Sequence, residues 1–195
     1  MDDAILATGA EKPDEQQVTN YTASGVVYGG DGSIFSNPSI NIVTETGPSF
    51  VSTNPFQLTD IAEGTNVEIT LNAPNTSPTT GVSTFDLVLI NNHVLGIENF
   101  QEPYQFIAAD ANNDGVISTF DIILLRQLIL SIVTELPNNR NWLVFQQHPS
   151  QLGMGTNGTN PYLINQIGTN ISNIEFTLLK VGDCLLYTSP SPRDS

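Results

Sequence analysis

The chain is short of positive charge, of thiols and of long apolar runs. Lys and Arg together number 5 against 20 Asp and Glu, a formal net charge of −15. Nucleic acid and anionic membrane surfaces both require a cationic footprint, so this balance argues against either as a partner. Cys184 is the single Cys, so no disulfide can form within the chain. Two His without further Cys cannot build an ordinary zinc site unless carboxylates help. The most apolar segment, around Leu128 to Val133, is bounded by Arg126, Gln127 and Glu135 and is too short to span a bilayer, so membrane insertion is not expected. The start, M-D-D-A-I-L-A-T-G-A-E-K, has neither the basic opening nor the apolar stretch of a signal peptide. No nucleophile elbow, zinc-protease helix, P-loop or dinucleotide fingerprint occurs, and no catalytic role is expected. His93 is expected as a half-buried helix residue, and His148 as a loop residue with nothing paired to it.

Among what is present, residues Asp110 to Asp121 carry the most chemistry: D-A-N-N-D-G-V-I-S-T-F-D. The spacing is that of a twelve-residue EF-hand loop. Asp110, Asn112 and Asp114 hold side-chain oxygens at positions 1, 3 and 5, and Gly115 stands at position 6, where the chain turns with positive φ. Val116 offers its carbonyl at position 7, Ser118 acts directly or through water at position 9, and Asp121 occupies position 12 in place of the usual Glu. A hard cation that accepts about six to eight oxygens in irregular geometry suits this set, so Ca²⁺ is the expected cofactor.

The stretch that follows is repeated. Val82 to Leu95 reads V-S-T-F-D-L-V-L-I-N-N-H-V-L, and Ile117 to Leu130 reads I-S-T-F-D-I-I-L-L-R-Q-L-I-L. At an offset of 35, six of fourteen positions are identical and five more exchange Val, Ile and Leu. Such a period indicates two copies of one supersecondary unit, each half a loop and its exiting apolar helix, with no helix expected before the loop. The helices are apolar on more than one side, and the surplus is expected to pack internally, with an external partner as the alternative.

This arrangement resembles the type I dockerin family, tandem F-hand repeats of calcium loop plus exiting helix, over about residues 75–136. Counting back from Asp86 places Asn75, Ser77 and Thr79 where the first loop would have its acidic ligands, and Thr80 where Gly would stand. One Ca²⁺ is therefore expected, in the second loop. The resemblance implies a cohesin-like protein partner and an association with polysaccharide-degrading glycoside hydrolases. Family members place Ser-Thr at loop positions 10 and 11 and Lys-Arg on the helix to make the contact. Here those places hold Thr84, Phe85, Asn91 and Asn92 in the first copy and Thr119, Phe120, Arg126 and Gln127 in the second. Docking through these residues is one expectation. The other is a calcium-stabilised structural spacer in a large surface adhesin.

The flanks read as strands. Ser24 to Tyr28 (S-G-V-V-Y) precedes a Gly29-Gly30-Asp31-Gly32 turn, and Phe56 to Thr70 reads F-x-L-x-D-I-x-E-G-T-N-V-x-I-T. This order resembles a carboxypeptidase-regulatory or Cna-B type β-sandwich. Ile174, Phe176 and Leu178 alternate before K-V-G-D at Lys180 to Asp183, which resembles the closing strand of Bacteroidetes-type surface proteins; it is expected to pair with a strand at Trp142. Cys184 to Asp194, C-L-L-Y-T-S-P-S-P-R-D, matches translated sequencing adapter over eleven consecutive residues, so the fold is expected to end at Asp183. The expected fold class is α+β and multi-module: a disordered start (1–20), a small N-terminal β-sandwich (21–74), a dockerin-like antiparallel helix pair with a calcium loop (75–136), a short C-terminal β-segment (137–183) and an artefactual tail (184–195). Abundant Asn, Thr and Ser and scarce Lys fit an extracellular or cell-surface setting, and the chain is expected to be a fragment of a longer secreted protein.

Overall fold

The computed structural model describes residues 19–45, 47–51, 53–153 and 160–186. Eight strands and three helices follow the order β1 (Asn20–Gly29), β2 (Ser39–Thr44), β3 (Gly47–Val51), β4 (Phe56–Ala62), β5 (Val67–Asn72), α1 (Thr84–Val94), α2 (Pro103–Ala109), α3 (Thr119–Ile129), β6 (Trp142–Phe145), β7 (Tyr162–Ile164) and β8 (Ile171–Lys180). The architecture is the expected α+β: a β-rich start, helices in the middle and strands at the end. The expected disordered start lies outside the described residues except for Thr19 and Asn20, and Asn20 already belongs to β1.

The strands form two four-stranded sheets, ordered β4-β1-β8-β6 and β3-β2-β5-β7. Strands from both sides of the helical insert share each sheet, so residues 21–74 and 137–183, expected as separate units, build one sandwich. The expected β6–β8 pairing is present, with Trp142 opposite Lys180 and Phe145 opposite Thr177. On its other side β8 runs parallel to β1, Val27 opposite Phe176.

Side chains alternate across a strand, and β8 uses both faces. Ile174, Phe176 and Leu178 enter the sandwich core with Val27, Ile40, Ile42, Phe56, Ile69 and Leu71. Leu179, and Val181 just beyond the strand, enter a second core with Ile90, Leu125 and Leu128 of the helices. β6 divides likewise, Trp142 and Val144 toward the sandwich and Leu143 and Phe145 toward the helices. The helices therefore lie on the outer face of the first sheet.

Two expectations are corrected. A helix does precede the second loop: Pro103 opens α2, Gln105 caps it from its third position, and Ile107, Ala108 and Ala109 are buried. Nor does the fold end at Asp183. Cys184 and Leu186 are buried in the helical core, because the turn at Val181–Gly182 carries the chain from β8 to the start of α1. Residues 187–195 lie outside the described residues.

Close approach of β1 to β8 leaves no room at Gly25, where an added Cβ would meet the Ile174 carbonyl oxygen and the Phe56 ring. Gly25→Ala should cost about 1–3 kcal/mol by overpacking, read as a lowered denaturation midpoint with unchanged slope. Lys180 is buried over the Trp142 ring, with Nζ 5.6 Å from its centroid and without a hydrogen-bond partner. Burial lowers its pKa from 10.5 to about 8, Asp183 opposing. Between those two values the unfolded chain holds the extra proton, so this group makes stability rise with pH across that window. Lys180→Met should remove that rise and raise stability at pH 7; wild-type and variant melting curves across pH 7 to 10.5 measure both.

Candidate functional site

The second loop folds its carboxylates onto its own backbone. Asp110, 5% exposed, accepts from the amide of Asp114 at 3.2 Å through Oδ1 and from that of Gly115 at 3.1 Å through Oδ2. Asn112 Oδ1 accepts from the Asp114 amide at 3.0 Å, and Asp114 Oδ1 accepts from the Val116 amide at 2.8 Å. Gly115 turns the chain at φ +81, and Asn113 precedes it at φ +62. Asp121, fully buried, accepts from the Ala111 and Asn112 amides at 2.9 and 3.4 Å through Oδ1 and from the Ser118 amide at 2.9 Å through Oδ2. Ser118 Oγ accepts from the Phe120 amide at 3.1 Å, so the position-9 side chain caps α3.

The donors are all oxygen: carboxylates, one carboxamide and the Val116 carbonyl. That set fits a hard divalent cation. Among the described residues no three His, Cys, Asp or Glu side chains meet as a cluster, and Asp114 Oδ2 is held by Asn112 Nδ2 at 2.8 Å. A positive side chain also reaches the loop. Arg140 donates from Nη1 to the Asp110 backbone carbonyl at 2.6 Å; burial lowers its pKa, and Asp110 and Asp121 oppose that.

The first copy repeats the cap and not the loop. Ser83 Oγ accepts from the Phe85 amide, while Asp86 Oδ2 accepts from the Ser83 amide and hydroxyl, each at 2.8 Å. Ser77 and Thr79 bond to each other at 2.9 Å, and Thr80 donates back to the Ser77 carbonyl in a local turn. The other oxygen of Asp86 accepts from the amides of Cys184 at 2.9 Å and Leu185 at 3.0 Å. Burial pushes the Asp86 carboxyl above the ordinary range, against the pull of these hydrogen bonds. Sequence reasoning missed both donors by ending the fold at Asp183. The signal available was Asp86 itself, a carboxylate at a ligand position with too few ligands around it.

Of the residues expected to meet a partner, Thr84, Phe85, Thr119 and Phe120 sit exposed at the starts of α1 and α3, with Phe85 68% and Phe120 53% exposed. Between the helices runs an open groove of about 470 Å³, bordered by Thr84, Leu87 and Asn91 of α1, Ile122 and Arg126 of α3 and Leu130 just after it. Asn92 and Gln127 lie outside it, half-buried, where their carbonyls accept from Ile97 and Ile132 after the helix ends. The expectation that surplus apolar surface packs internally is corrected: Val88, Ile123 and Leu130 remain exposed. Each helix buries the side facing its partner and the sheet, and among the described residues nothing covers the rest. His93 is half-buried as expected, stacked on Phe100 at 4.1 Å and accepting from its amide through Nδ1. His148 is not unpaired: Nδ1 meets Ser150 Oγ at 2.8 Å, and the ring packs edge-on to Tyr28.

Among the described residues no helix is long and apolar enough to cross a membrane. No curated protein and no solved structure matches the chain. One family model does, that of the dockerin type I domain, over residues 80–130. The match begins just before α1 and ends just after α3, enclosing the second loop and both copies of the repeat. Residues 80–130 are thus similar to the dockerin type I domain, a family whose members bind calcium and dock on cohesin domains.

Proposed function

We propose that the chain is a calcium-stabilised docking element of a secreted or cell-surface protein, and that the open face of α1 and α3 receives a cohesin-like domain. The observation that carries this reading is the exposure of Phe85 and Phe120 at equivalent positions of the two copies. Exposed aromatic side chains beside an apolar groove are typical interface anchors. Thr84, Asn91, Thr119 and Arg126 supply polar contacts around them, with Asn92 and Gln127 at the rim. The parent protein is proposed to be a polysaccharide-degrading enzyme, with the dockerin module serving its attachment.

In this reading Asp110, Asn112, Asp114 and Asp121 hold one Ca²⁺ through side-chain oxygens, Val116 through its carbonyl and Ser118 through water. The ion supplies positive charge among three acidic side chains and fixes the start of α3. Asn75, Ser77 and Thr79 take no part.

Chelation with EDTA should lower the melting temperature and the helical circular dichroism. A ligand at a hundredfold excess over its Kd stabilises the folded state by about 2.7 kcal/mol. Asp110→Ala or Asp121→Ala should abolish that response, and titration calorimetry should count one site. Two sites of similar affinity would contradict the assignment, as would indifference of a calcium-loaded sample to chelation.

For docking, the double variant Phe85→Asp with Phe120→Asp should weaken cohesin binding at least about thirtyfold, a hot-spot-sized loss of ~2 kcal/mol. Its melting temperature should stay within about a degree of wild type, since neither ring is in a core. A calcium response without binding to any of a panel of cohesin domains would replace docking with the spacer role.

A further inference from the structure

The hydrogen bonds of Asp86 and Asp121 correspond atom for atom. Asp121 Oδ1 accepts from the amides of Ala111 and Asn112, the two residues after Asp110 at loop position 1. Asp86 Oδ1 accepts from the amides of Cys184 and Leu185, the two residues after Asp183, from 98 and 99 positions along the chain. In both copies the second oxygen takes the amide and hydroxyl of the capping Ser. Asp183 is buried, as Asp110 is. The segments entering the two sites lie side by side, with the Gly182 amide donating to the Ala108 carbonyl at 2.8 Å. Ala108, Ala109, Ala111, Val181 and Cys184 share one core.

We infer that the first repeat has a split loop: its end lies at Ser83–Asp86, and its beginning is supplied by Asp183–Leu185 where the chain leaves β8. The stretch 75–80, where a contiguous loop would begin, is then only a connection from β5 to α1. The donors are backbone amides, so any residues at 184 and 185 can provide them. In this sequence Leu185, at the equivalent of loop position 3, offers no side-chain oxygen, and the split loop is held by its backbone amides as a clasp without a cation. It ties the first turn of α1 to the exit of β8, and so ties the helix pair to the sandwich at a second place besides the shared core.

Amide hydrogen exchange by NMR on the full chain tests this. The Cys184 and Leu185 amides should exchange at least about a hundredfold more slowly than in an unstructured chain. Asp86→Ala should raise their exchange at least tenfold and leave Ala111 and Asn112 within about twofold of wild type. If Asp86→Ala does not fold, Asp86→Asn keeps one acceptor oxygen and should give a smaller change at the same two amides. Unprotected Cys184 and Leu185 amides in wild type, or protection indifferent to Asp86, would overturn the proposal. So would a loss of that protection in the double variant Asn75→Ala with Ser77→Ala, which would restore the contiguous loop. Calorimetry that finds a second calcium in wild type, absent in Asp86→Asn, would overturn the cation-free clasp.

Discussion

Alternate side chains of one strand face two different cores, and neither core closes without it. Ile174, Phe176 and Leu178 fill the sandwich, while Leu179 and Val181 fill the space under the helices. The pleat of a strand imposes this division, so β8 meets both cores at once. Its two edges are equally committed, one parallel to β1 and the other antiparallel to β6. The helix pair thus rests on a sheet one of whose two central strands arrives after the helices in sequence. That is why an insert between β5 and β6 behaves as a layer of one structure.

Local features and the β6–β8 pairing were legible in the sequence, and the pairings that cross the helical insert were not. The alternation at Val67, Ile69 and Leu71 is β5, and the repeat at Ser83 and Ser118 gives the two long helices with their caps. The loop from Asp110 to Asp121 has the turns its spacing demands, with positive φ at Gly115. These signals depend on neighbours within a few residues. The pairing of Val27 with Phe176 has no such source, since a parallel partner is chosen by packing across the whole chain. α2 has seven residues, too few for a helical period to stand out, and its marks are Pro103 and the Glu102–Gln105 cap. The outward face of Val88, Ile123 and Leu130 was unreadable for another reason. An apolar side chain is buried only if something is there to bury it, and a helix sequence does not say what lies opposite.

Charge is distributed unevenly over this acidic chain. Asp86, Asp110, Asp121 and Asp183 are buried, and the first three rely on backbone amides. Asp86 and Asp121 stand in the first turns of their helices, where the aligned peptide dipoles favour negative charge. The face between α1 and α3 is by contrast apolar, with Arg126 as the charged side chain in its groove. A surface of that kind discriminates by shape more than by long-range attraction.

The parallel pairing of β1 with β8 joins segments about 150 residues apart. Closing so long a loop of unstructured chain is slow, because its entropy must be surrendered before the contacts form. The helical insert contains mostly short-range contacts within each helix and loop, and these form on a faster timescale. Once α1 and α3 have met, the spacer between β5 and β6 is no longer a flexible tether, and the effective distance between β1 and β8 contracts. β8 lies between β1 and β6 and also lends Leu179 to the core under the helices, so the first sheet and that core are completed by one strand.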